Sequence, residues 1–408
     1  MYSQVLQTQD LQNAIAKTEA RTHIKGLVGS SLSFVISSIF KQAEKPFLMV
    51  FNDKEEAAFY LNDLEQLCGD KEVFFYPGSY RRPYQIEETD NANILLRAEV
   101  LNRINSRKKP AIIITYPDAL FEKVVTRKEL ERNTLKIGVN DKLSIDFVNE
   151  VLFEYQFKRA DFVTEPGEFS VRGGIVDVFS FSNDEPYRIE FFGDEVDSIR
   201  TFDVETQLSI EQIKKINIIP NVENKFLDEQ RESFFKYIAQ KTVVCFKNVD
   251  LFFARIEDFY IKAEEAFKTL STDIKRAEPN ELFCNSELLK RQLLDFNLVE
   301  FGSTSFFTNV IARDPDNYRE KQSVSLGEIA SSKTPRNDVK SIIFNTSPQP
   351  SFNKQFNLLI EDLNTNYNKG FTNYIACVSE QQAKRFHAIF EDSHLEVKQF
   401  KTIVLSLH

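Results

Sequence analysis

The chain has 408 residues, 42% of them hydrophobic and 27% charged, with a net charge of −10. This is the balance of a soluble globular protein, long enough for about two to four domains. The acidic excess argues against a main duplex-DNA grip, which needs clustered Lys and Arg on phosphates. No apolar run approaches the roughly 20 residues that span a bilayer. Met1 to Lys17 is polar and mixed in charge, unlike a signal peptide. The expectation is a cytosolic (cytoplasmic) protein with no membrane partner.

Residues 1–130 alternate helix and strand patterns. Asp10 to Arg21 reads as a helix. Phe47 to Phe51 is an apolar run bounded by Pro46 and Asn52-Asp53, which predicts a buried parallel strand and a helix over Asp53 to Cys68 capped at its start. Val73 to Tyr76 and Ala111 to Thr115 read as further strands. Between them Ala92 to Ile104 is helical, with apolar residues at 94, 95, 98, 101 and 104. This rhythm predicts an α/β sandwich with a parallel sheet.

Residues 131–218 change character. Alternating strands with Gly and Asn-Asp turns run through Phe169 to Arg172, Ile175 to Phe179, Tyr187 to Phe192 and Val196 to Phe202, an inserted antiparallel unit. From 219 to 339 the α/β rhythm returns, with a strand at Thr242 to Phe246 and a long helix through Phe267. Residues 303–340 are polar and irregular. In 340–408 a helix (Phe352 to Tyr367), a strand (Tyr374 to Val378), a helix (Glu380 to Phe390) and a strand near Ile403 to Leu405 predict a small βαβ-type domain.

Metal and nucleotide chemistry find little support. Cys68, Cys245, Cys284 and Cys377 are far apart, and His23, His387, His394 and His408 do not complete a zinc set. The cysteines read as buried small residues in a reducing compartment. Residues 26–33, Gly-Leu-Val-Gly-Ser-Ser-Leu-Ser, fit a P-loop only at Gly26 and Ser33. Ser31 stands where the second glycine would wrap phosphates, and Leu32 where a lysine would neutralise them; Gly29 falls between. The octet reads equally as a turn before a helix. The strand ending at Phe246 is followed by Lys247-Asn248-Val249-Asp250, not by an acidic pair for Mg²⁺. Asp194-Glu195-Val196-Asp197, which mimics such a box, reads as a hairpin turn after Gly193.

The stretch Tyr187 to Asp194 is the most informative. Strand periodicity puts Ile189 and Phe191 on one face and Arg188, Glu190 and Phe192 on the other, where Arg172 of the upstream strand can join them. Two arginines beside an exposed aromatic have the chemistry of a binding hot spot. The same pattern also allows a phenylalanine tucked under the turn, with solvated arginines.

The runs Gly167 to Phe179 and Pro186 to Asp203 strongly resemble the UvrA-binding domain shared by UvrB and the bacterial transcription-repair coupling factors. Val204-Glu-Thr-Gln207 and Ile218-Ile219-Pro220 fit the coupling factors better. The resemblance implies a degenerate P-loop NTPase-like (UvrB-like) parallel-sheet α/β domain in two parts, 1–130 and 219–339. These flank an inserted UvrA-binding α+β domain at 131–218 and precede a small α/β domain at 340–408. It implies that Arg172, Arg188 and Phe192 contact UvrA, and that the loop at Gly26, Gly29, Ser31, Leu32 and Ser33 has lost its ATPase chemistry. Tyr76, Tyr80 and Tyr84 remain, but the path from Tyr84 to the helix of Arg97 is too short for the DNA-clamping hairpin of UvrB.

The expected function is therefore a non-catalytic, monomeric recruitment module without cofactor or metal. The family's motor, with its ATP and Mg²⁺, and its contacts to RNA polymerase and DNA would lie further along; the apolar strand just before His408 reads as a fragment edge. The rival is an active UvrB-like ATP-dependent helicase subunit that binds damaged DNA. A third reading is a direct duplex-DNA binder.

Overall fold

The computed structural model describes residues 6–17, 20–69, 72–79, 91–106, 109–181, 183, 185–219, 230–269, 277–306, 339–392 and 398–405. Tyr80, Tyr84, Pro220, His394, His408 and most of 303–340 lie outside the described residues.

The first part runs α1 (Leu6–Ala16), β1 (Arg21–Lys25), α2 (Ser31–Ala43), β2 (Phe47–Val50), α3 (Lys54–Cys68), β3 (Val73–Phe75), α4 (Asn91–Ser106), β4 (Ile112–Thr115), α5 (Pro117–Phe121), β5 (Val124–Val125) and α6 (Arg127–Arg132). Asp53 caps α3 as expected, its carboxylate accepting from the Glu56 N–H at 2.8 Å. The helix expected over Asp10 to Arg21 is corrected: α1 ends at Ala16, and Arg21 begins a strand. That strand, Arg-Thr-His-Ile-Lys, has one aliphatic residue, so it carries little apolar pattern. Backbone pairing on both sides holds it, Thr22 opposite Val299 and Lys340.

The inserted part comprises β6 (Leu135–Gly138), α7 (Ile145–Glu154), β7 (Lys158–Arg159), β8 (Glu168–Arg172), β9 (Ile175–Val178), β10 (Tyr187–Phe192), β11 (Glu195–Phe202), β12 (Ser209–Gln212) and β13 (Lys215–Ile218). Its six-stranded sheet has the order β12-β11-β10-β9-β8-β7. It is antiparallel except at one edge, where β7 and β8 run parallel. Leu135 pairs with Ile218, so the chain enters and leaves this unit side by side. Such a closed start and end lets a unit sit inside another without breaking its sheet.

The chain then continues through β14 (Arg231–Glu232), α8 (Phe234–Tyr237), β15 (Val243–Phe246), α9 (Val249–Thr269), α10 (Pro279–Leu282), α11 (Ser286–Leu293), β16 (Asn297–Phe301) and β17 (Lys340–Ile343). The large sheet has seven strands in the order β17-β1-β16-β15-β2-β4-β3, all parallel. Residues 340–343 are its edge strand, so this sheet reaches past residue 339 into the segment grouped by sequence with 340–408. Strand alternation splits its side chains between two cores. Leu48, Val50, Ile113, Val244 and Phe246 join the apolar cluster that continues into the inserted unit through Ile137, Ile216 and Ile218. Phe47, Met49, Ile112, Ile114 and Cys245 pack on the other face with Val35, Ile36 and Ile39 of α2. Strands buried on both faces explain the unbroken apolar runs.

The last part is α12 (Phe356–Asn368), β18 (Asn373–Cys377), α13 (Glu380–Asp392) and β19 (Phe400–Val404). β18 and β19 pair parallel, Asn373 opposite Phe400, with α13 as the crossover. Ile360, Leu363 and Phe390 centre a small core of their own. The α/β architecture with a parallel sheet, a separate strand-rich unit and a terminal βαβ is as expected.

Candidate functional site

The β10–β11 hairpin turns at Gly193-Asp194, with Phe192 opposite Glu195. Gly193 has φ +63°, a conformation that two-residue hairpin loops require and glycine supplies. The Asp-Glu-Val-Asp box is therefore turn and strand, as read from the sequence. Tyr187 and Ile189 are buried on the inner face of β10, while Arg188 and Glu190 point to the polar face. Phe192, two residues further along that face, is 83% exposed.

Cross-strand register builds the polar face. Ser170, Asp177, Arg188 and Arg200 lie opposite one another across β8, β9, β10 and β11. Arg172 and Arg188 converge on Asp177, whose side chain is buried. Arg188 grips it with two bonds, Nε to Oδ1 at 2.8 Å and Nη2 to Oδ2 at 2.9 Å. Arg172 donates from Nη2 to the same Oδ2 and from Nη1 to the Asp161 carbonyl at 2.9 Å. A buried carboxylate is tolerable when guanidinium groups satisfy it this fully.

The two arginines differ in their freedom. The Arg188 side chain is 17% exposed; its guanidinium lies 4.4 Å from the Phe202 ring centre and donates to the Gln207 carbonyl at 3.1 Å. The Asp177 hydrogen bond holds its pKa above the ordinary arginine value. Arg172 is 40% exposed and lies over Phe162, itself 62% exposed. A second pair, Arg200 on Glu190, extends the network, and Ser198 Oγ donates to Glu190 at 2.7 Å. Asp177, Phe162 and Arg200 escaped the sequence reading, whereas Glu190 stands on the face that strand periodicity assigns it. Asp177 carried a signal: it is an acid between Val176 and Val178 on a strand whose neighbours are otherwise buried.

The loop at 26–33 sits at the carboxyl end of β1. Gly26 has φ +78°, and a Cβ there would lie 1.8 Å from the Phe344 carbonyl oxygen. The segment after β17 thus covers the loop. Thr346 Oγ1 donates to the Gly26 carbonyl at 2.6 Å, and the Val28 N–H donates to Thr346 Oγ1 at 3.1 Å and to Ser31 Oγ at 2.9 Å. Gly29 has φ +53°. Leu32 is buried among the α2 core residues, and Ser33 Oγ donates to Asp63 at 3.0 Å. The Val28 and Ser31 N–H groups and the hydroxyls of Ser31 and Ser33 are thus engaged within the chain.

Past β15, Asn248 caps α9 by accepting from the Leu251 N–H at 3.0 Å. The buried Glu300 on β16 accepts from the Phe306 N–H at 3.0 Å and from Ser305. Among the described residues no group of three or more His, Cys, Asp or Glu could hold a metal ion. No helix among the described residues is long and apolar enough to cross a membrane.

Comparison with known proteins bears on the same regions. Residues 135–223 match the family described as the UvrB interaction domain. The chain is 32% identical over 198 residues, 48% of its length, to a transcription-repair-coupling factor of Bacillus subtilis, covering 17% of that protein. It is 30% identical over 210 residues, 52% of its length, to that of Haemophilus influenzae, covering 18%. For Myxococcus xanthus the figures are 28% over 231 residues, 54% and 19%. The match therefore spans under a fifth of each of these relatives. The chain is thus similar over residues 135–223 to the UvrB interaction domain, and over about half its length to the transcription-repair-coupling factors.

Proposed function

We propose that this chain is a recruitment module of transcription-coupled nucleotide excision repair. It docks UvrA through the polar face of the six-stranded sheet and performs no nucleotide chemistry of its own. The observation that carries the reading is Phe192, 83% exposed at the hairpin end of a face on which Arg172 and Arg188 meet at Asp177. An exposed aromatic that is desolvated on binding, flanked by oriented cations, is the composition of an interface hot spot. Arg172 and Phe192 contact UvrA. Arg188, more deeply held, contributes charge while keeping Asp177 and its neighbours in place.

In the longer protein, ATP-driven translocation on DNA by other segments releases stalled RNA polymerase, and this module brings UvrA to the lesion in the cytoplasm. The second half of the proposal rests on Leu32, which turns into the core, and on Thr346, whose hydroxyl bonds the Val28 amide and the Gly26 carbonyl of the loop. Equilibrium binding of the chain to purified UvrA and to ATP tests both halves. Saturable UvrA binding without ATP binding supports the reading; ATP binding lost on substitution within residues 26–33 overturns the second half.

A further inference from the structure

A second surface lies at the opposite end of the large sheet from the loop at 26–33. The amino-terminal ends of β2, β4 and β15 are tied there, Phe47 N–H to the Ala111 carbonyl and Val243 N–H to the Pro46 carbonyl, both at 2.9 Å. Beside them opens a cavity of about 180 Å³. Phe74, Ile104, Ile113 and Ile238 form its apolar wall. Arg103, Lys109, Arg127 and Lys241 stand around it, and no carboxylate lines it among the described residues. In a chain of net charge −10 this is a local reversal of sign. Arg103 is paired with Glu99 at 2.5 Å, and Arg127 donates to the Tyr237 carbonyl at 2.9 Å. Both keep further N–H donors, since a guanidinium has five.

We propose that this cavity is a docking site for an acidic peptide segment of a partner protein, which inserts one bulky apolar side chain while its flanking carboxylates pair with the four cations. The size excludes a free small molecule as the main occupant: such sites usually run to about 300–1,000 Å³. A volume on the scale of one side chain needs an occupant anchored outside as well, which the cationic rim provides for carboxylates. A nucleic acid fits less well. Bases bind by stacking on open aromatic faces, whereas Phe74 is buried with the Arg103 guanidinium 4.9 Å from its ring centre. The position agrees too. Ligands of open α/β sheets bind beyond the carboxyl ends of the strands, and this cavity is at the other end.

The test uses the whole chain and a fluorescein-labelled peptide, Asp-Glu-Asp-Phe-Glu-Asp-Glu, read by anisotropy. Lys241→Glu reverses an exposed rim charge, and Ala239→Phe fills the mouth from an exposed position. The expected result is saturable, salt-sensitive binding that each variant weakens by about tenfold or more, with unchanged thermal unfolding. Absence of saturable binding overturns the proposal, as does binding that both variants leave intact. Loss in Lys241→Glu alone, with Ala239→Phe folded and unaffected, removes the inserted side chain and reduces the site to charge attraction. Tighter binding of a labelled oligothymidylate that the same variants abolish reassigns the site to nucleic acid.

Discussion

Asp177 and Arg188 face each other across β9 and β10, joined by two hydrogen bonds of 2.8 and 2.9 Å, with the carboxylate buried. Arg172 reaches the same carboxylate from β8. One acid thus orients both arginines of the proposed docking face. Asp177→Ala is expected to lower stability by about 3 kcal/mol, because it strands partly buried guanidinium groups. It should weaken UvrA binding as well, since the arginines lose their common anchor. Urea unfolding beside a UvrA titration measures both. Normal stability in this variant would show that the cluster is not structural.

Arg172 and Arg188 should separate in the same assays. Arg172→Ala removes a side chain that is 40% exposed, so its stability cost should stay under about 1 kcal/mol. Arg188→Ala takes away the two bonds to Asp177 and the contact with Phe202, and should cost more stability than Arg172→Ala. Equal costs would contradict the division of roles.

The loop at 26–33 makes a different kind of prediction. Restoring the missing lysine by Leu32→Lys should destabilise the chain, because the side chain turns into the core of α2 rather than toward a ligand. No ATP binding should appear. Gly26→Ala should also destabilise, by about 2 kcal/mol or more, since its φ is +78° and a Cβ would strike the Phe344 carbonyl. Thermal unfolding with and without ATP checks both, and a gain of ATP-dependent stability in Leu32→Lys would overturn the account of the loop.

His23 provides a pH test. It is buried on β1 with Nε2 3.0 Å from the Gly302 carbonyl, and burial lowers its pKa below 6.5. Below that pH the unfolded chain binds a proton that the folded chain resists, so stability falls as pH drops under 6.5 and levels off below the folded pKa. Replacing it by Asn should flatten that slope, as seen in urea unfolding on either side of pH 6.5.

How much could be read from the sequence depended on what held each element. β2, β4 and β15 are buried on both faces and announce themselves as apolar runs; Asp53 announces the start of α3. The hairpin at Gly193 and the outward Phe192 followed from turn chemistry and alternation. β1 did not, because its pairing is a backbone matter and its buried Thr22 and His23 look like surface residues in sequence. Nor did β17, which joins the large sheet from far along the chain. For the site, alternation grouped Arg172, Arg188 and Phe192, but the carboxylate that joins the arginines depends on register across three strands, which one strand's pattern does not contain. The covering of the loop by Phe344 and Thr346 is likewise a long-range contact.

The central claim rests most directly on Phe192, whose side chain is almost entirely in solvent. Calorimetric titration of UvrA into the chain and into Phe192→Ala tests it, with urea unfolding of both as the control. The account predicts stabilities within about 0.5 kcal/mol of each other and an affinity lower by about tenfold or more in the variant. An affinity equal to that of the unsubstituted chain would contradict it.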